Sequence, residues 1–472
     1  MTIHPLPLWT RESPLTNWTL PHDDQPVLAS FSRPVRAVAP LDWLRRTHEQ
    51  RFYWSSDDSA TFAGIGVEAE LVAYGRERFA AIQEELARLF ETPAFDLADR
   101  PCGGPRVFGG FSFRPDDEPD GLWSAFPPAY FALPRYQLAC VGGRCWLTVN
   151  RLALNGESAD AALDEARADF RRMERALETH LHAQTGDAPL LLNLDYPLGR
   201  GEWRRQIERA TARMRAGELE KVVLSRTCDL TFDAPVDPLA ALDHLNAHYP
   251  QAFRFLIEPL PEHAFYGATP ELMAEMRGRQ LVTAALAGSA ARGATEAEDD
   301  RLARGLLASA KDRHEHELVV RALREQLAQF SDNVRLPDTP TIYRLDNIQH
   351  LYTPILAELR GRRSLLEILE VLHPTPALGG TPQAVAVETI RETEPLSRGW
   401  YASPIGWIDW RGDGVFSVAI RSAVSAGARA RLYAGAGIVA DSEPDKEWDE
   451  AGLKFKPLLD ALGANTYVRA QP

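Results

Sequence analysis

The segment Leu432-Tyr-Ala-Gly-Ala-Gly-Ile-Val439 reads as a strand interrupted twice by glycine. It leads through Asp441-Ser442-Glu443-Pro444 into Glu447-Trp-Asp-Glu450-Ala-Gly-Leu-Lys454. A second acidic stretch, Lys311-Asp-Arg-His-Glu315-His-Glu-Leu-Val-Val320, lies far earlier in the chain. In a helix Glu447, Glu450 and Lys454 stack on one face, because they stand at i, i+3 and i+7. Two acidic helices on either side of a glycine-rich strand can bring a carboxylate each to one cleft. That suits a hard divalent cation, which takes oxygen ligands and shares a substrate's own anionic groups. The pattern points to an enzyme acting on a small, negatively charged molecule.

The other elements come in groups rather than in regular strand–helix alternation, which favours an α+β fold. Up to about residue 195 the chain is β-rich, with short aromatic or β-branched runs at Arg51–Trp54, Ala60–Val67 and Arg106–Phe113. Amphipathic helices are expected at Glu77–Phe90 and from Asp160 to about Ala183, with a linker at Ala183–Pro189. Cys140 and Cys145 flank Val-Gly-Gly-Arg, a hairpin turn that brings them near one another; two reduced thiols are expected there. From about residue 200 come a helix at Trp203–Ala216 ending at Gly217 and strands at Lys221–Arg226, Ala264–Glu271 and Gln280–Gly288. One helix is expected through Leu307–Phe330. Val415–Arg421 and Ala430–Gly435 are expected as adjacent strands, before a last helix at Lys446–Leu462. The domain reading is an N-terminal region, 1–195, packing onto a catalytic domain, 196–468.

Composition excludes several classes. A net charge of −14 argues against nucleic acid as the main partner, since phosphate neutralisation needs clustered Lys and Arg. It also means that an anionic substrate must find its Arg, Lys or metal locally. No C-x-x-C pair occurs for zinc or redox work, and no apolar run approaches the ~18 residues of a membrane span. The N-terminus lacks a signal-peptide pattern, so a cytoplasmic protein is expected.

Eight segments then appear in order: KVVLSR (221–226), GATPEL (267–272), ALAGSAARG (285–293), KDRHEHELVV (311–320), QHLYTPI (349–355), HPTPALGGTP (373–382), FSVAIRSA (416–423) and GAGIVADSEPDKEWDE (435–450). Together they resemble the chorismate-binding enzymes, most closely isochorismate synthases of the menaquinone or siderophore type. The resemblance implies two large antiparallel sheets packed face to face with helices outside, and a magnesium-dependent isomerisation of chorismate. Water attacks C2 while the C4 hydroxyl leaves, which needs one base and one acid. By resemblance Lys221 is the base and Glu271 the acid. The lysine pKa must then fall from about 10.4 and the glutamate pKa rise from about 4.3. Read alone, Lys221 is a solvated lysine at a strand start and Glu271 a helix-N-terminal acid after Pro270.

The same resemblance assigns Glu315 and Glu450 as magnesium ligands, with Glu447 in support. Asp312 is a weaker candidate partner for a metal-bound water. The bland reading has these acids paired with Lys311, Arg313 and Lys454 on exposed helix faces. His314 and His316 read as ordinary helix histidines. For substrate, Arg421 in the strand FSVAIR offers its planar fork to a carboxylate, with Tyr401 beside it. Gly435 and Gly437 open backbone N–H groups to a carboxylate. Lys454, His350, Gly288 and Ser289 complete the set. Aminating members of the family generally carry Gln at position 221, and one class a lysine at position 287. Lys221 and Ala287 therefore imply water as nucleophile and no glutaminase partner. A salicylate synthase, which goes on to eliminate pyruvate, shares the same machinery; Ala377, Leu378 and Ile420 look more like the isomerase type. A monomer is implied.

Overall fold

The computed structural model describes residues 26–464 apart from 57–59, 98–101, 118–120, 154–155, 179–187 and 347. The expected linker lies largely outside the described residues. Among the described residues, hydrogen-bonded ladders join 21 strands into one network, antiparallel except where Val27–Val35 runs beside Pro93–Leu97.

The long strand Ala129–Val141 is the branch point of this network. One edge pairs with Ala60–Ala73; the other pairs first with Arg106–Phe111 and then, from Tyr136 onward, with Arg144–Ala153. Two arms leave from here. The first passes through Arg51–Ser56, Phe253–Leu260, His263–Thr269, Ser422–Ala426 and Arg429–Ile438 to Lys221–Phe232. The second passes through Arg106–Phe111, Pro404–Asp409, Gly414–Val418, Leu272–Arg277 and Gln280–Ala291 to Ile348–Leu359.

The arms close on one another because alternate residues of each strand point to opposite faces. Phe265 of the first arm enters a core shared with Trp407 and Phe416 of the second, and Phe52 stacks on Phe108 with ring centroids 6.1 Å apart. Tyr266, next in sequence, faces the other way, into a core formed with Leu242 and Phe455 of the outer helices Pro238–His248 and Pro444–Ala461. Each such fully buried side chain contributes about 1.5–3 kcal/mol. The α+β class, with large antiparallel sheets and helices outside, is the architecture found. Ladders also cross residue 195: Arg51–Ser56 pairs with Phe253–Leu260, and Arg106–Phe111 with Pro404–Asp409. The N-terminal strands thus extend the same sheets.

Twice the chain steps from one arm to the other at the same place. Between His263–Thr269 and Leu272–Arg277 it passes through Pro270 and Glu271. Between Gly414–Val418 and Ser422–Ala426 it passes through Ala419, Ile420 and Arg421. The crossings bond to each other, with the Val418 N–H on the Glu271 carbonyl at 2.9 Å and the Ala268 N–H on the Arg421 carbonyl at 3.1 Å. Arg421 takes a left-handed backbone, φ +50°, to make the turn.

Three local expectations need correction. Val415–Arg421 is not one strand beside Ala430–Gly435: the strand stops at Val418, and the two belong to different arms. The single helix expected through Leu307–Phe330 is two, Glu296–Ala308 and Ala310–Ala328, parted at Ser309, whose hydroxyl caps the second by accepting from the Asp312 N–H. Cys140 and Cys145 are not reduced thiols but a disulfide. The hairpin itself is as expected, and its two-residue turn, Gly142 and Gly143 both at positive φ, sets the cysteines directly opposite with Cα atoms 4.1 Å apart.

Candidate active site

A cavity opens at the paired crossings. Every candidate site residue lines it except Lys221, Glu447 and the weaker candidate Asp312. Glu271, Ile420 and Arg421 come from the crossings, and Gly435 and Gly437 from the strand Arg429–Ile438. Glu450 and Lys454 come from the last helix, and Glu315 from Ala310–Ala328. Gly288, Ser289 and His350 come from the second arm. Ala377, Leu378 and Tyr401 close the remaining wall.

Glu271 is in no helix; it sits buried between two strands. Burial pushes its carboxyl up to about 7, against the opposing charges of Lys221, Lys454 and Arg421. Lys221, far from being solvated, is 1% exposed. It opens the strand Lys221–Phe232, and its Nζ donates to Glu315 Oε1 at 2.9 Å. Gly437 makes room for this pair. A Cβ at position 437 would overlap Glu315 Oε1 and stand 3.2 Å from Lys221 Cε. Lys221 therefore lies immediately behind the cavity wall, one hydrogen bond from a carboxylate that faces the cavity.

Lys454 Nζ donates to Glu450 Oε1 at 2.7 Å and to the Gly435 carbonyl at 2.8 Å. Burial raises the Glu450 pKa, but Lys454, then Lys311 and Arg421, outweigh it and hold this carboxyl below its ordinary value. Glu447 is buried and does not line the cavity; Lys311 Nζ donates to its Oε1 at 2.9 Å. Its pKa is pushed up by burial and by Glu450. Asp312 is held by the Ser309 hydroxyl, and its Cβ would lie 3.1 Å from one at Gly288, where φ is +74°. Only glycine lets the helix approach that strand so closely.

Arg421 is 5% exposed, and among the described residues its guanidinium has no hydrogen-bonding partner. Burial lowers its pKa. It is a buried cation left over for an incoming anion. Tyr401 stacks on Tyr433 with centroids 4.9 Å apart, and burial pushes its hydroxyl up, keeping it a donor. Ser289 Oγ bonds His350 Nδ1 at 3.0 Å, and His350 Nε2 is buried without a hydrogen-bonding partner among the described residues. Burial, with Arg421 and Lys454, holds this imidazole neutral.

The donor set bears on a metal. Glu315 and Glu450 reach one cavity from two helices, but among the described residues no three His, Cys, Asp or Glu side chains gather around one point. Two carboxylates fit magnesium, which keeps several waters, and do not fit an all-protein zinc site. His316 points elsewhere, its Nε2 on Thr353 Oγ1 at 2.8 Å.

Sequence reasoning missed Val223, Leu286, Tyr433 and Ala434 in the lining. Tyr433, Gly435 and Gly437 share one strand face by simple alternation, a signal present in the sequence. It also missed a buried pair beneath the wall. Arg398 Nη2 donates to the Val223 carbonyl at 2.7 Å and Nη1 to the Leu378 carbonyl at 3.1 Å. Its partner Glu394 accepts from the Ser225 N–H at 2.7 Å.

Residues 15–463 match the family model of chorismate binding enzymes. The chain belongs to this family. It is 37% identical over 457 residues to the isochorismate synthase MenF of Bacillus subtilis, covering 93% of this chain and 94% of that protein. It is 36% identical over 444 residues to the salicylate biosynthesis isochorismate synthase of Pseudomonas aeruginosa, covering 93% and 91%. Among solved structures, the menaquinone-specific isochorismate synthase MenF of Escherichia coli superposes with a TM-score of 0.77 at 26% identity, covering 93% of this chain and 96% of that one. Anthranilate synthase component I of Streptococcus pneumoniae shares the fold, with a TM-score of 0.69 at 19% identity over 86% and 93% of the two chains. Among the described residues of this chorismate-binding enzyme no helix is long and apolar enough to cross a membrane.

Proposed function

We propose that this enzyme is an isochorismate synthase, an isomerase that adds water at C2 of chorismate as the C4 hydroxyl departs. The observation that carries the reading is Glu271: a buried carboxyl raised to about 7, in one cavity with the uncommitted Arg421 and coupled to Lys221 behind the wall. An acid that keeps its proton near neutrality can give it to the leaving oxygen. Lys221, once turned from Glu315 and unprotonated, can take a proton from the attacking water. Arg421 and Tyr401 suit the pyruvyl carboxylate, and the buried His350 Nε2 suits a ring substituent. Ala287 offers no amine to the cavity, so water is the nucleophile and no glutaminase subunit is required.

Glu315 and Glu450 are the residues that would hold Mg2+, which when bound supplies positive charge for the ring carboxylate and the transition state. We place the activity in the cytoplasm, in a monomer, supplying isochorismate for menaquinone or siderophore synthesis. The test is incubation of the purified protein with Mg2+ and chorismate, followed by chromatography and proton NMR. Isochorismate is the expected product. Rapid stoichiometric salicylate and pyruvate would assign a lyase instead, and an ammonium-dependent amine an aminating enzyme.

A further inference from the structure

Each acid of the proposed metal set is matched to a lysine, Glu315 to Lys221 at 2.9 Å and Glu450 to Lys454 at 2.7 Å; Glu447, outside the cavity lining, is matched to Lys311 at 2.9 Å. The first pair differs from the others. Its lysine is the assigned base, and a Cβ at position 437 would overlap the Glu315 oxygen that holds it. Lys221 is 1% exposed, so bulk solvent does not reach its ammonium. We propose that Lys221 and the divalent cation compete for Glu315, so that loading the cation releases the Lys221 amine toward the substrate.

The argument is electrostatic. An ammonium and a dication held on one carboxylate repel one another strongly where the Lys221 and Glu315 side chains are largely buried, because little solvent screens them there. Glu315 therefore serves one cation well or two badly. Lys454 is under less constraint, since the Gly435 carbonyl holds its amine when Glu450 is taken. Lys221 has no second acceptor among the hydrogen bonds of the described residues, so losing Glu315 frees it. Free energies couple reciprocally: whatever Lys221 gains from Glu315 is subtracted from the cation's affinity.

The inference rests on the proposed magnesium site, and the experiment separates the two. Mg2+ is titrated calorimetrically, at fixed pH and without substrate, into wild type, Lys221→Met, Lys221→Gln and Lys311→Met. Folding of each is checked by circular dichroism. Gln, with a neutral amide of similar reach, guards against a Met variant that fails to fold. Losing a charge-assisted hydrogen bond from the competitor should tighten Mg2+ binding at least ~10-fold in both Lys221 variants. Lys311→Met, which removes an equal charge from Glu447, an acid outside the cavity lining, should change it by clearly less than the Lys221 variants do. Unchanged or weaker binding in the Lys221 variants overturns the competition, as does equal tightening in Lys311→Met. Absence of Mg2+ binding in all four proteins overturns the metal assignment itself, and the competition with it.

Discussion

Replacing Glu271 by Gln keeps the shape of the side chain and removes the one buried acid whose proton the chemistry needs. Holding a carboxyl at about 7 instead of 4.5 corresponds to about 3 kcal/mol, at about 1.4 kcal/mol per pH unit. Below pH 4.5 the group is protonated in folded and unfolded chains alike, and the raised pKa costs nothing. As pH rises from 4.5 to about 7 the unfolded chain ionises first, so the folded protein loses stability through that window and no further above it. Glutamine does not titrate. The stability difference between Glu271→Gln and wild type should therefore move in favour of the variant by about 3 kcal/mol between pH 4.5 and 7, then level off. Denaturant unfolding of the metal-free proteins across that range measures it. The variant should also lose at least ~100-fold in kcat. Wild-type kcat/KM should fall as pH rises through about 7, where Glu271 gives up its proton. A difference in stability that stays flat from pH 4.5 to 7 would falsify the raised pKa, and near-wild-type turnover would remove Glu271 from the role of acid.

Lys221→Ala should lower kcat at least ~100-fold with an unchanged circular dichroism spectrum; turnover near that of wild type excludes Lys221 as the base. Arg421→Lys replaces a bidentate fork by a point charge, so steady-state kinetics should show KM for chorismate raised ~10-fold or more; an unaltered KM shows that Arg421 does not hold a carboxylate. Gly437→Ala puts a methyl group against the Glu315 carboxylate, and should weaken both calorimetric Mg2+ binding and turnover; tolerance of the methyl group means that the helix does not need its present approach. Chelation with EDTA should abolish activity and added Mg2+ restore it, whereas activity that survives exhaustive chelation dismisses the metal.

Much of the fold follows from local signals. The Gly142-Gly143 turn demands positive φ at both residues, and Pro444 in the first turn starts the last helix two residues before the expected Lys446. The arm crossings do not follow. Val415–Arg421 alternates β-branched and small residues as a continuing strand would, and nothing local marks Arg421 for a left-handed backbone, which usually selects glycine. Strand pairing between residues as distant as Gly110 and Ile405 is likewise a matter of long-range burial rather than of either segment's own pattern. The break at Ser309 was legible, since a serine followed three residues later by an acid is a helix-start signal. A continuous apolar periodicity on both sides concealed it.

The site was legible only through its motifs, and the reason is charge. A lysine at a strand start is ordinarily solvated, yet Lys221 is buried because Glu315, 94 residues away, meets it. Arg398 is buried because Glu394 and two carbonyls meet it. Such matching cannot be read from either partner alone, since burying a charge is tolerable only once its counter-charge is in place. Around the cavity Glu315 is balanced by Lys221 and Glu450 by Lys454, which leaves Arg421 over whenever Glu271 carries its proton. A pocket in a protein of net charge −14 is thus locally positive. Ionising Glu271 would cancel Arg421 and remove the attraction for a carboxylate. The proton that Glu271 keeps for the leaving hydroxyl is therefore also what lets the anionic substrate in, so substrate affinity and turnover should decline together as pH rises through about 7.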